Sequence, residues 1–316
     1  MEYLKDIYCP VCGNKKLEQF KLKFERKDFK VVECGSCEFV FIPQFYREDI
    51  PYEDYRDESV LESVRKGNNY IKYRRHRLRI KLIKRFVKAG KLYDIGVGWG
   101  HFLHTAQRMG FETEGVEISE LMHHYATEDL KLKVAHDNFY KLELPKNNWD
   151  VATMWDVLEH LDEPEIAVKK AHSIIKPGGY FVLQVPQIDS KVAKRQKEKW
   201  SMMSIEHVNY FSKNTIKKLL EENGFELVKY KSSYELKLFL MFTVLPWLKR
   251  RKSKPEEKDS SEKQSITNTE RQNFFNKVTN IPKFFIWVGL LYHDIIYKTL
   301  SLFNFGEEMI VVARKK

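Results

Sequence analysis

The chain has 316 residues, 43% of them hydrophobic and 14% aromatic, and a net charge of +11 at neutral pH. That length and apolar content exclude a wholly disordered chain and suit one large domain with additions or two modest ones. The basic balance favours an anionic partner, whether nucleic acid, a phosphorylated small molecule or an acidic membrane surface, without choosing among them.

The opening segment "MEYLKDIYCP" has neither a basic nor an apolar signal region, and all four cysteines precede residue 38; a cytoplasmic chain is expected. Within residues 1–45, "FKLKF", "FKVVEC" and "EFVFI" read as short strands. Cys9 and Cys12, then Cys34 and Cys37, form two C-x2-C knuckles separated by 21 residues. Four thiolates so spaced can enclose one tetrahedral zinc, and a complete sulfur shell leaves no open position, so the ion is expected to be structural. Two disulfides or free thiols are the alternative.

Residues 46–90 read as a polar, Tyr-rich connection followed by a basic helix. Tyr52 and Tyr55 are either lid residues or ordinary linker aromatics. From Ser63 to Ala89 a helical stripe of Ile71, Leu78, Leu82 and Phe86 is predicted, with Gly90 as the residue after the helix. Its Arg and Lys residues are either a solvated face or an attractor of phosphate or anionic lipid.

Between residues 91 and 234 strands and helices alternate: "KLYDIG", "ETEGVEIS", "LKVAHD", "WDVATMW", "YFVLQVP" and "FELVKY" as strands, with "KPGG" closing the helix before the fifth and Ser212 capping the helix before the sixth. Such alternation predicts an α/β fold with a mainly parallel sheet covered on both faces. Residues 235–305 form an apolar helical insertion interrupted by a charged, low-complexity linker, and 306–316 supply a seventh strand. Between Lys283 and His293 only nine residues run uncharged, short of the roughly 20 that a membrane-spanning helix needs. The insertion therefore either lies in a membrane interface or caps a cleft or dimer contact.

The segment Asp94-Ile95-Gly96-Val97-Gly98-Trp99-Gly100 invites a dinucleotide fingerprint, but the third glycine of G-x-G-x-x-G would fall on His101. An acidic residue followed by G-x-G-x-G resembles motif I of the class I S-adenosylmethionine-dependent methyltransferases. That resemblance implies a Rossmann-like seven-stranded sheet and assigns Asp94, Gly96, Gly98 and Gly100 to the cofactor turn. Glu117 would serve the ribose hydroxyls with Ile118 beside it, Asp137 would lie near the adenine amino group, and Trp155 would line the methionine end. "IIKPGGYFVL" fits the same family text.

The four-cysteine ribbon together with "WDVLEHL" and "EHVNYFS" looks like a narrower group, the zinc-ribbon methyltransferases of sugar, glycan and secondary-metabolite pathways. The group implies a Glu206–His207 pair acting at the substrate, with His207 as base, Tyr210 as a hydrogen-bond donor and His160 as second candidate base. Ser204 stands where that group places a tyrosine, and the large C-terminal α/β domain of its sugar C-methyltransferases is replaced by the apolar insertion. The expected activity is methyl transfer to oxygen or carbon of a small sugar-derived or lipid-linked acceptor, with a phosphorylated acceptor and peripheral membrane contact compatible with the charge. An RNA methyltransferase and a non-catalytic cofactor-binding adaptor are the rivals, nucleic acid ranking below a small molecule. Oligomeric state is not legible.

Overall fold

The structure, a computed structural model, describes residues 2–4, 6–46, 61–62, 64–65, 70–233 and 304–316. Tyr52, Tyr55 and almost all of the 235–305 insertion lie outside the described residues.

The large sheet has seven strands: β4 (Gly90–Ile95), β5 (Phe111–Glu117), β6 (Val134–His136), β7 (Trp149–Trp155), β8 (Ile175–Pro186), β10 (Phe225–Ser233) and β11 (Glu308–Lys315). Their order is β10-β11-β8-β7-β4-β5-β6, and the five strands from β4 to β8 run parallel. β11 enters antiparallel between β8 and β10. Central strands buried on both faces need continuous apolar text, and β7 supplies it: Val151, Ala152, Met154 and Trp155 are all buried.

The helices are α1 (Tyr70–Ile83), α2 (His101–Arg108), the short α3 (Glu120–His124), α4 (Pro164–Ile174), the short α5 (Lys191–Gln196) and α6 (Lys213–Glu222). α6 begins where expected. Ser212 Oγ accepts from Thr215 N at 3.2 Å while Thr215 Oγ1 accepts from Ser212 N at 2.8 Å, so two orphan donors are satisfied reciprocally. α1 is shorter than predicted. It ends at Ile83, and a tight turn follows that lets Phe86 pack on Tyr180, ring centroids 5.3 Å apart. Gly90 opens β4 instead of closing that helix, and "KPGG" lies inside β8, which starts directly after α4. Nor is the face of α1 wholly solvated, because Arg79 is buried.

The cysteine-bearing segment also differs from a free-standing domain. β1 (Phe20–Glu25), β2 (Lys30–Cys34) and β3 (Val40–Phe41) continue into β9 (Asn209–Tyr210), a two-residue strand from the middle of "EHVNYFS". Val40 pairs with Tyr210 and Phe41 with Asn209, and Ile42 N donates to Val208 O at 2.9 Å. Cys9, Phe20, Phe39 and Phe41 share one buried core with Phe211, Tyr93 and Leu183 of the large domain. The cysteine-bearing segment is therefore joined to the large sheet through β9 and a shared core.

Candidate active site

β4 delivers the glycine turn to the carboxyl edge of the sheet. Gly96 N and Val97 N both donate to Val116 O, at 3.0 and 3.1 Å, binding the turn to the end of β5. Gly96 and Gly98 adopt φ of +75° and +55°, a left-handed backbone that favours glycine. A Cβ on Gly96 would lie 2.5 Å from Val157 Cγ2, whereas one on Gly98 would meet nothing within 4 Å. The first glycine is enforced by packing; the second leaves a bare, open stretch of backbone.

Beside that opening stands Glu117, buried at the end of β5. Its Oε2 accepts from Gly98 N at 2.6 Å and its Oε1 from Ser119 N at 2.9 Å, so two backbone amides fix the carboxylate against the turn. Asp137 follows β6, its N donating to Glu117 O at 3.3 Å and its Oδ1 accepting from Asn138 N at 2.6 Å. Ile118 is exposed at the same rim. Asp94 is only 1% exposed and accepts from Thr153 Oγ1 at 2.6 Å. Burial pushes its carboxyl up to about 8, so it braces the turn from beneath as a neutral acid.

Trp155, buried at the end of β7, carries the Arg79 guanidinium over its ring at 4.2 Å. Arg79 Nη2 reaches Asp156 Oδ2 at 3.3 Å, and its burial lowers its pKa to about 10. Asp156 sits at φ +60°, a strained conformation for a non-glycine residue and one that clusters at functional sites. Gln184 Nε2 ties Asp156 Oδ1 (2.9 Å) to Glu308 Oε2 (2.7 Å). The sequence pointed to Trp155 but gave Arg79 and Glu308 no site role, because their burial depends on partners far away in the chain.

Past Asp156 the turn Leu158–His160 brings His160 to His207, ring centroids 4.8 Å apart and nearly perpendicular. His160 Nδ1 donates to Glu206 O and His207 Nδ1 to Met202 O, both at 2.8 Å. Crowding by surrounding protein lowers the His160 pKa. The Glu206 side chain is exposed on the rim. Tyr210 is placed differently from its expected role. It is fully buried in the small sheet and its hydroxyl donates to Ser204 O at 2.9 Å, so it supports the loop from inside instead of facing a substrate. Asn209, absent from the sequence-based set, links the two halves: its Nδ2 donates to Leu158 O at 3.2 Å and Leu161 O at 2.5 Å.

Bare glycine backbone, a buried carboxylate bonded to it, and acids or aromatics at the ends of β4 to β7 in succession gather at the carboxyl edge of an open α/β sheet, where such sheets bind ligands. A sequence model of the methyltransferase domain matches residues 70–230, just over half of the chain. The chain is a class I S-adenosylmethionine-dependent methyltransferase. Among its relatives are an uncharacterized protein of Methanocaldococcus jannaschii, 28% identical over 48% of this chain and 71% of the relative, and the demethylmenaquinone methyltransferase of Staphylococcus aureus, 24% identical over 55% and 85%. An S-adenosylmethionine-dependent methyltransferase structure from Archaeoglobus fulgidus shares the fold, with a TM-score of 0.51, 20% identity and coverage of 82% of this chain and all of that one. The residues present suit the chemistry of S-adenosylmethionine: a Cβ on Gly98 would meet nothing within 4 Å, and the Glu117 carboxylate is bonded to the same turn.

The methyltransferase also gathers Cys9, Cys12, Cys34 and Cys37, one sulfur from each lying within 4.8 Å of the others. Cys9 Sγ is 3.5 Å from Cys37 Sγ, and Cys12 Sγ 3.7 Å from Cys34 Sγ. The sulfurs around a tetrahedral zinc, with bonds of about 2.3 Å, stand about 3.8 Å apart. A disulfide needs about 2.05 Å, so the arrangement fits an ion and not two bridges.

Proposed function

We propose that the enzyme transfers a methyl group to an oxygen or carbon of a small acceptor bound over the Leu158–His160 turn and the 204–210 loop. The carrying observation is the His160–His207 pair, two imidazoles 4.8 Å apart with each Nδ1 anchored to a backbone carbonyl. A carbonyl only accepts, so each ring holds a proton on Nδ1 and a basic lone pair on Nε2. When bound, the cofactor supplies an activated methyl group. The chain's part is to align the acceptor and take up the proton that a hydroxyl or carbon acid must lose.

In this reading Glu117, Asp137, Ile118 and the Gly96–Gly100 turn hold the adenosyl group, and Trp155 and Asp156 border its methionine end. His207 and His160 are the residues against which the acceptor is deprotonated, and Glu206 meets it on the rim. The four cysteines hold a structural zinc. A lipid-linked acceptor is supported by the Staphylococcus aureus relative, whose name gives demethylmenaquinone as its acceptor; a sugar-derived one is supported by the resemblance of the four-cysteine ribbon and "EHVNYFS" alone. Among the described residues no helix is long and apolar enough to cross a membrane.

Turnover assays with panels of sugar phosphates, lipid-linked acceptors, quinols and RNA, paired with calorimetry of cofactor binding, test this. His207→Gln is expected to lower turnover on a small acceptor by about 100-fold or more, with cofactor affinity kept. Turnover confined to RNA, or unaffected by the substitution, overturns the reading.

A further inference from the structure

Glu159 is the least comfortable residue of the acceptor rim. It is 1% exposed, its Oε2 has no hydrogen-bond partner, and Asp156 lies close enough to raise its pKa further above the usual carboxylate range after burial has done so. A buried carboxylate oxygen without a partner costs free energy unless a cation or proton completes it. His160 and His207 each bring one ring nitrogen to it, and the three donor atoms lie within 4.8 Å of one another. The Nδ1–H bonds to Glu206 O and Met202 O fix both rings with the lone pair on Nε2. A ring N–H held by a backbone carbonyl in this way orients histidine ligands at metal centres.

We propose that Glu159, His160 and His207 bind one divalent first-row metal ion, separate from the zinc of the four cysteines. Two imidazoles and a carboxylate leave coordination positions open and suit a borderline cation. Three ligand atoms on bonds of about 2.1 Å to one ion stand about 3.0–3.6 Å apart, so binding draws together any pair that now lies near the 4.8 Å limit by about an ångström. The local field favours it: Asp156 and Glu308 act on the buried Arg79 guanidinium, whereas Glu159 faces both acids as like charges.

The proposal rests on the reading that this rim receives the acceptor, and it refines how the proton is lost. An acceptor hydroxyl reaching an open position is acidified by the ion and releases its proton to water at the exposed rim. Its oxygen then forms a bond to the methyl carbon as the carbon–sulfur bond breaks, the electron pair stays on sulfur, and S-adenosylhomocysteine leaves. His160 and His207 thereby promote the deprotonation through the ion they hold.

The test uses the full chain with zinc in the cysteine site, titrated with Co2+ and followed by visible absorption, with metal content counted by mass spectrometry. One equivalent of Co2+ is expected to bind without the intense thiolate-to-cobalt charge-transfer band of a cysteine site. Glu159→Gln and His207→Gln are expected to weaken it by about tenfold or more, while calorimetry confirms that each variant still binds the cofactor. If Glu159→Gln fails to fold, His160→Gln and His207→Gln carry the comparison. No cobalt bound by the wild type, or equal binding by the variants, overturns the metal site. Loss of turnover in the variants without metal binding leaves the acceptor reading standing and removes the ion; metal binding with turnover unchanged does the reverse.

Discussion

Gly96 and Gly98 share a left-handed backbone, yet substitution separates their roles. Alanine at either position meets strain of about 1–2 kcal/mol, but only at Gly96 does the new Cβ strike a neighbour, Val157. Gly96→Ala is therefore expected to lower the unfolding midpoint in urea, whereas Gly98→Ala mainly weakens cofactor binding by filling the opening beside Glu117. Calorimetry and urea titration of both variants check the contrast. Asp94 makes a prediction with a defined sign. Its folded pKa of about 8 exceeds the unfolded value of about 3.9. The unfolded chain thus releases a proton that the folded chain keeps throughout that window. Stability contributed through this group is fully present below pH 4 and is lost as pH rises toward 8, by at most about 1.4 kcal/mol per pH unit. Asp94→Asn should flatten the pH dependence of urea stability between pH 5 and 7; an unchanged slope would contradict the buried neutral acid.

At the scale of elements, an amide adds to the bonds that hold the loop carrying His207. Asn209 donates to two carbonyls of the turn that carries His160. Asn209→Ala leaves both without that donor, and a cost of about 1–3 kcal/mol is expected in stability. Turnover should fall more than cofactor affinity, because the glycine turn does not touch this residue. Much of this level was legible beforehand. The strand runs, the Ser212 cap, the glycine turn and the acid closing β5 depend on near neighbours and on periods of two or 3.6 residues. What escaped was set at long range. β9 is two residues long and exists only because β3 pairs with it, so Tyr210 could be read as a rim donor when it is an interior one. Arg79 belongs to a helix rich in basic residues, and nothing local distinguishes it from Arg77 or Arg75. Glu159 was hidden by its neighbour His160, the residue that a search for a base selects first.

Across the whole molecule, among the described residues, the ribbon joins the large sheet through the pairing of β3 with β9 and through a shared buried core. Loss of the cysteine-bound ion should therefore divide the two binding functions. Cys37→Ser is expected to speed amide hydrogen exchange in residues 204–211, lower turnover, and leave cofactor affinity near that of the wild type. Equal protection of 204–211 in variant and wild type would show that β9 does not need the ribbon.

The pairing of Ser233 with Glu308 carries a consequence for how such a chain diversifies. Asn304, clasped by Gln187 Nε2 at 2.6 Å, returns the backbone to the sheet margin that β10 has just left. Departure and re-entry thus sit side by side, directly above the Glu308–Gln184–Asp156 chain of bonds. The two ends of the interval are clamped beside one another, so a change in its length need not displace either flanking strand.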